Sequence, residues 1–330
     1  MRRFFVCRTA LAGLCLLLVA WPVLADPLPS WRDGAAKSKI IAFVDAVTDP
    51  GSTDFVPVAA RIATFDNDGT LWAEQPAYFQ LIYALDEVRA AAKADPAYAA
   101  TPALKAAVEG DLKPLFDDHH KGLMEVIDAT HSGMTVSAYT ASVRKWLETA
   151  RHSQSGQPYD AMVYQPMLEL LRYLRDEGFS TYIVSGGGIH FIRVFAEPRY
   201  GIPPQQVVGS MGNERFEIRD GKPVLIKEAG LFFVDDKSGK PVAIDRHIGR
   251  RPIFVGGNSD GDLQMLQWST AGDGPRFGLI VHHDDGEREW AYDRDSAIGR
   301  LDKAMDLAPK EGWLLVSMKD DWAKVFPWQK

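Results

Sequence analysis

The chain has 330 residues, 46% of them apolar and 25% charged, with a net charge of −7. That apolar share can fill a sizeable core, and the length suits one large domain or a domain with an inserted module. The acidic charge is spread without any basic block, which excludes the electrostatic footprint of a nucleic-acid partner.

Residues 1–25 read as a signal peptide. Arg2 and Arg3 begin it, an apolar run over 10–24 follows, and Val23 and Ala25 place small residues ahead of a cut before Asp26. The run is short for a membrane span. The arginine pair resembles part of a twin-arginine signal but lacks the preceding polar residue, so general secretion is expected. Leu14 before Cys15 speaks against lipidation. The expectation is a periplasmic or secreted protein without membrane contact after cleavage. Both cysteines, Cys7 and Cys15, fall in this segment, so the mature chain would carry no disulfide, thiol nucleophile or thiolate metal site.

Beyond it, residues 37–47 read as an amphipathic helix and 62–65 as a buried strand. Residues 76–147 are helical in pattern, alanine-rich and broken by Pro96, Pro102 and Pro114. A helix is expected over 164–177 with Gly178 as its stop. Then come a strand in "STYIVSGGG", a helix over 189–196, and two or three short strands over 207–226 turning at Asp220-Gly221. "VAIDRHI" and "LQMLQW" read as helices; "RPIFV", "PRFGLIV" and 313–316 read as strands. Strands alternating with helices predict an α/β fold, a doubly wound parallel sheet of Rossmann-like form. The stretch after the first strand is too long for a crossover and reads as an inserted helical cap. The expected division is 26–73 and 161–330 as core and 74–160 as cap.

Ligands of such sheets bind at the carboxyl ends of the strands. Three strands end in unusual loops: Asp66-Asn67-Asp68-Gly69-Thr70, Ser185-Gly186-Gly187-Gly188, and Gly257-Asn258-Ser259-Asp260-Gly261-Asp262. The first and third offer carboxylates for a hard cation such as Mg²⁺. The second offers a hydroxyl and backbone N–H groups that suit phosphate. A calcium loop is disfavoured, because Gly69 comes too early and no glutamate stands at its twelfth position. His282 and His283 are adjacent on a strand and point to opposite faces, so they make a poor metal pair. His119 and His120 in the cap read as surface residues.

These loops, in this order, resemble the motifs of the haloacid dehalogenase superfamily of phosphotransferases. The cap placement resembles its phosphoserine-phosphatase-like branch. The resemblance implies Asp66 as a nucleophile forming an aspartyl-phosphate and Asp68 as general acid and base. It implies Ser185 and Gly186 as phosphate-binding. Mg²⁺ would be held by Asp66, the Asp68 backbone carbonyl, Asn258 and Asp262. A lysine should neutralise the phosphate and the nucleophile: Lys240, before Pro241 at a helix start, fits best, with Lys237 and Lys227 as alternatives. The family commonly has aspartate where Asn258 stands, and Asp260 is a substitute to consider for the missing charge. The implied function is hydrolysis of small phosphomonoesters. A dehalogenase is disfavoured by Asp68, and a phosphomutase by export. An inactive binding protein of the same fold is the alternative of a different class.

Overall fold

The computed structural model describes residues 25–116 and 121–329. The signal segment read over 1–25, apart from Ala25, and His119 and His120 lie outside the described residues.

Eight strands build the sheet: β1 (Ile62–Phe65), β2 (Ser180–Gly188), β3 (Val207–Arg219), β4 (Lys222–Phe233), β5 (Phe254–Gly257), β6 (Phe277–Asp284), β7 (Ala291–Tyr292) and β8 (Leu314–Ser317). Their order is β4-β3-β2-β1-β5-β6-β7, with β8 pairing β6. β1 runs parallel to both β2 and β5, and the parallel set continues through β3, β6 and β8. All four residues of β1 are buried, as a central strand covered on both faces requires. Successive residues feed opposite faces. Ile183, Phe254 and Leu279 join one apolar cluster, while Val184, Val255 and Ile280 join the other. The strand sequence reverses direction between β1 and β5, so the switch point of the sheet lies where those two strands end. The fold is the expected doubly wound α/β sheet.

The insert holds helices Phe79–Ala94, Pro102–Glu109, Lys113–Phe116, Lys121–His131 and Val136–Thr149. Thr101 and Thr135 cap two of them through their hydroxyls, and Pro102 sits in a first turn where its missing N–H costs nothing. Leu81, Leu85, Val88, Leu104 and Val126 give this layer its own small core.

Two local expectations change. The helix over 189–196 is two short ones, Ile189–Ile192 and Ala196–Tyr200. Phe195 between them stacks on Trp72 with ring centroids 4.2 Å apart. The short strands over 207–226 are one long hairpin, β3–β4, turning at Asp220 (φ 51°) and Gly221 (φ 74°). Its outer half is polar, which hid its length, and cross-strand pairs such as Arg215–Glu228 at 2.9 Å line it. That half leaves the core and joins the insert. The Gly133 N–H donates to the Lys227 carbonyl at 2.8 Å and the Lys227 N–H to the Met134 carbonyl at 2.9 Å. The layer over the core is therefore helices plus the outer half of the hairpin.

Candidate active site

Asp66 is the first residue past β1, and its N–H donates to the Gly256 carbonyl of β5 at 3.0 Å. The loop then turns at Gly69 (φ 73°), where a Cβ would lie 2.1 Å from Asn258 Nδ2 and 2.3 Å from Glu74 Oε1. Both conformation and space demand glycine there. The turn brings Asp66 and Asp68 to one cavity of about 360 Å³, shared with Ser185, Gly186 and Lys240.

Lys240 lies on the helix Gly239–His247 and is only 1% exposed. Its Nζ is 2.8 Å from Asp66 Oδ1 and 2.5 Å from Asp262 Oδ1. Burial works to lower its pKa, but the two carboxylates outweigh burial and hold it protonated, above its ordinary value. Lys237 is turned to solvent, 3.9 Å from Asp236. Lys227 lies on β4 against the insert. Of the three candidate lysines, the geometry brings Lys240 to Asp66.

The third loop divides its carboxylates in a way the sequence did not show. Asp262 commits both oxygens to the protein: Oδ1 to Lys240, and Oδ2 to the N–H groups of Asn258 (2.9 Å) and Ser259 (3.1 Å). It is fully buried and, like Asn258, absent from the cavity wall; it anchors Lys240 and the loop. Asp260 points elsewhere. Its carboxylate accepts the N–H groups of Asp302, Lys303 and Ala304 and so caps the helix Lys303–Glu311. Asn258 donates Nδ2 to Glu74 Oε1 at 2.8 Å and accepts the Thr70 hydroxyl on Oδ1 at 3.0 Å. The Tyr292 hydroxyl donates to the same Glu74 oxygen at 2.7 Å.

Asp68 Oδ1 accepts the indole N–H of Trp72 at 2.8 Å. Burial raises the Asp68 pKa, with the Trp72 bond opposing it. Burial likewise pushes Glu74 up to about 8, against the pull of His283 and Tyr292. Ser185 is buried, and its Oγ accepts the Gly187 N–H at 3.1 Å. The Gly188 N–H donates to Gln80 of the insert at 2.7 Å. Two N–H groups expected to face a phosphate thus already have partners, and one of them ties the loop to the cap. His282 and His283 do face apart. His282 lies 3.4 Å from Asp293, whereas His283 sits under the first loop with Nε2 donating to the Gly69 carbonyl at 2.7 Å and Nδ1 3.2 Å from Glu289.

Glu74, Trp72, Tyr292 and Gln80 escaped the sequence reading, and His283 was weighed there only as a metal ligand. Only Glu74 left a signal: it is the sole charged residue between Asp68 and Asp86.

The oxygens of the expected cation set are hard ones: the Asp66 and Asp262 carboxylates, the Asp68 carbonyl and the Asn258 amide. In kind they fit Mg²⁺. Among the described residues no three acidic or imidazole side chains converge as a metal group.

The architecture is thus a Rossmann-like doubly wound sheet with a capped pair of aspartates at its switch point. The profile of the haloacid dehalogenase-like hydrolases matches residues 63–267, and the chain belongs to that family. Among solved structures, a conserved protein of unknown function from Anaerococcus prevotii is similar at a TM-score of 0.50 and 16% identity, over 76% of this chain and 86% of that one. A phosphoserine phosphohydrolase-like protein from Francisella tularensis is similar at 0.38 and 17%, over 67% and 87%. A probable phosphoserine phosphatase from Vibrio cholerae is similar at 0.38 and 15%, over 75% and 64%. No curated protein matches the sequence.

Proposed function

We propose that this hydrolase is a Mg²⁺-dependent phosphatase of small phosphomonoesters that works through an aspartyl-phosphate on Asp66. The observation that carries the reading is Lys240, fixed between Asp66 and Asp262 with Asp68 two residues along the same loop. A carboxylate approaching a phosphate dianion is repelled, and a fixed ammonium beside the attacking oxygen offsets part of that repulsion. Bound Mg²⁺, held by Asp66, the Asp68 carbonyl, Asn258 and Asp262, would supply the rest of the charge neutralisation.

In the first step Asp66 forms a bond to phosphorus while the bond to the leaving oxygen breaks. Asp68, whose pKa burial raises, gives a proton to that oxygen. In the second step Asp68 takes a proton from water, the hydroxyl attacks phosphorus, and the bond to Asp66 breaks to release phosphate. Ser185 and Gly186 receive phosphate oxygens. Export follows from the signal segment, and sequencing the mature protein should find Asp26 at its N-terminus.

The test is Asp66→Asn. It should abolish turnover, leave the circular dichroism and melting temperature unchanged, and prevent the acid-stable phosphate label that wild type acquires on rapid quenching. Residual activity above a few per cent would remove Asp66 as nucleophile. Asp68→Asn should slow alkyl phosphates by ~10²–10⁴-fold and be partly rescued by substrates with good leaving groups.

A further inference from the structure

The cavity that holds Asp66 and Asp68 extends into the cap, where its wall includes Lys227, His131, His190 and Tyr139. Lys227 is 5% exposed, yet among the described residues no carboxylate reaches ion-pair distance of its Nζ. Its neighbours are the Tyr139 ring, with the centroid 4.9 Å away, and His190 Nδ1 at 3.4 Å. That nitrogen also lies 3.2 Å from Glu214 Oε1. One imidazole nitrogen cannot donate to Glu214 and accept from Lys227 at once. When it serves Glu214, Lys227 is left with a ring face alone.

A buried ammonium with three N–H donors and so few acceptors is unusual, since buried charges are normally paired. The rest of the charge nearby is accounted for. Asp128 is bound to the Gly230 N–H at 3.0 and 3.1 Å, and Lys240 is committed to its two aspartates. Burial, reinforced by the Lys227 charge, pushes His131 and His190 down to about 4, so the cationic group at this end of the cavity is Lys227, with the Glu214 carboxylate on the far side of His190. Between the two ends the wall is apolar, with Leu81, Leu123, Met124, Ile127 and Leu231.

Resting on the phosphatase reading, we propose that Lys227 binds a carboxylate of the substrate. The substrate class is then phosphomonoesters of organic acids with an apolar skeleton, the phosphate at Asp66 and the carboxylate at Lys227. A single cation matches a monoanion better than a second phosphate dianion. The apolar stretch gives the skeleton a dry surface.

The test uses the full-length protein and two probes, 4-(phosphonooxy)phenylacetate and its methyl ester. They share a leaving group and differ in charge at the far end. Charge-assisted hydrogen bonds of this kind correspond to about tenfold or more in affinity. Wild type should favour the acid by that factor in kcat/KM, through KM. Lys227→Met should erase the preference and Lys227→Arg should keep most of it. Equal rates on both probes in wild type, or an undiminished preference in Lys227→Met, would overturn the proposal. If Lys227→Met fails to fold, the wild-type comparison and Lys227→Arg still decide. If neither probe is hydrolysed, the phosphatase reading fails separately. Calorimetry with 4-hydroxyphenylacetate, which carries no phosphate, then reads the subsite alone: binding lost in Lys227→Met supports it, and no binding by wild type overturns it.

Discussion

Asn258 shows how one neutral side chain is set in an acidic site. Its amide is oriented by two partners, with Nδ2 on Glu74 and Oδ1 on the Thr70 hydroxyl. Glu74 thus stands behind the position where the family commonly has an aspartate. An aspartate at 258 would remove the N–H that Glu74 Oε1 now accepts at 2.8 Å and set two oxygens against each other there. Asn258→Asp alone should therefore destabilise the loop and gain little Mg²⁺ affinity. Asn258→Asp combined with Glu74→Gln restores a donor facing an acceptor and should bind Mg²⁺ more tightly than either single variant. Glu74→Gln alone should weaken binding by about 10-fold or more, the usual cost of losing a partner that orients a ligand. Mn²⁺ electron paramagnetic resonance titrations of the four proteins check this without relying on turnover; a double variant no tighter than wild type would sink it. The convergence of Asp66, Asp68, Ser185 and Lys240 on one cavity was legible in the sequence because each lies in a short local motif at a strand end or helix start. The Glu74 network was not, because its partners Asn258 and Tyr292 lie 184 and 218 positions away.

At the scale of elements, the loop after β5 does two separate jobs with two aspartates two residues apart. Asp262 holds the lysine, while Asp260 turns outward to cap the helix Lys303–Glu311. Sequence spacing could not divide these roles, since both residues sit in one polar loop. Asp260→Ala should lower stability by about 0.5–2 kcal/mol, as loss of a helix cap does, and leave the Mg²⁺ dependence of activity unchanged. Chemical denaturation and a metal titration on the same preparation check both halves; a shifted metal dependence with normal stability would return Asp260 to the cation. The periodic elements were readable from pattern, from the central strand at 62–65 to the helix Gln165–Asp176 with its left-handed Gly178 stop (φ 79°). The hairpin's turn at Asp220-Gly221 was readable too, but its length was not. Its outer half pairs with itself and with the insert, so burial, the signal that marks core strands, is weak there.

The molecule as a whole carries buried acids that tie its stability to pH. Asp235, just past β4, is fully buried, and burial raises its pKa to about 7 against the pull of Lys240 and the Ser185 backbone. The folded state therefore keeps a proton that the unfolded state releases nearer 3.8. Stability from this group is present below the unfolded value and falls as pH rises toward about 7. Asp235→Asn has no proton to lose, so its stability relative to wild type should rise across that window, by on the order of 2–4 kcal/mol. Parallel melting curves from pH 4 to 8 would show that Asp235 does not set the dependence.

The hairpin also carries a consequence for how substrate choice can change. β3 starts beside β2 in the catalytic sheet and, with β4, ends in the cap, so Lys227 is indexed to the active site by strand pairing, with Glu214 opposite Lys227. Loops tolerate insertions gradually, but a paired strand moves in whole steps. A one-residue slip of β4 would present Ile226 or Glu228 where Lys227 now stands, swapping the cation for a neutral or acidic group. The preference for an anionic substrate is thus held as a discrete setting of the strand, open to reversal by a single inserted or deleted residue at the Asp220-Gly221 turn.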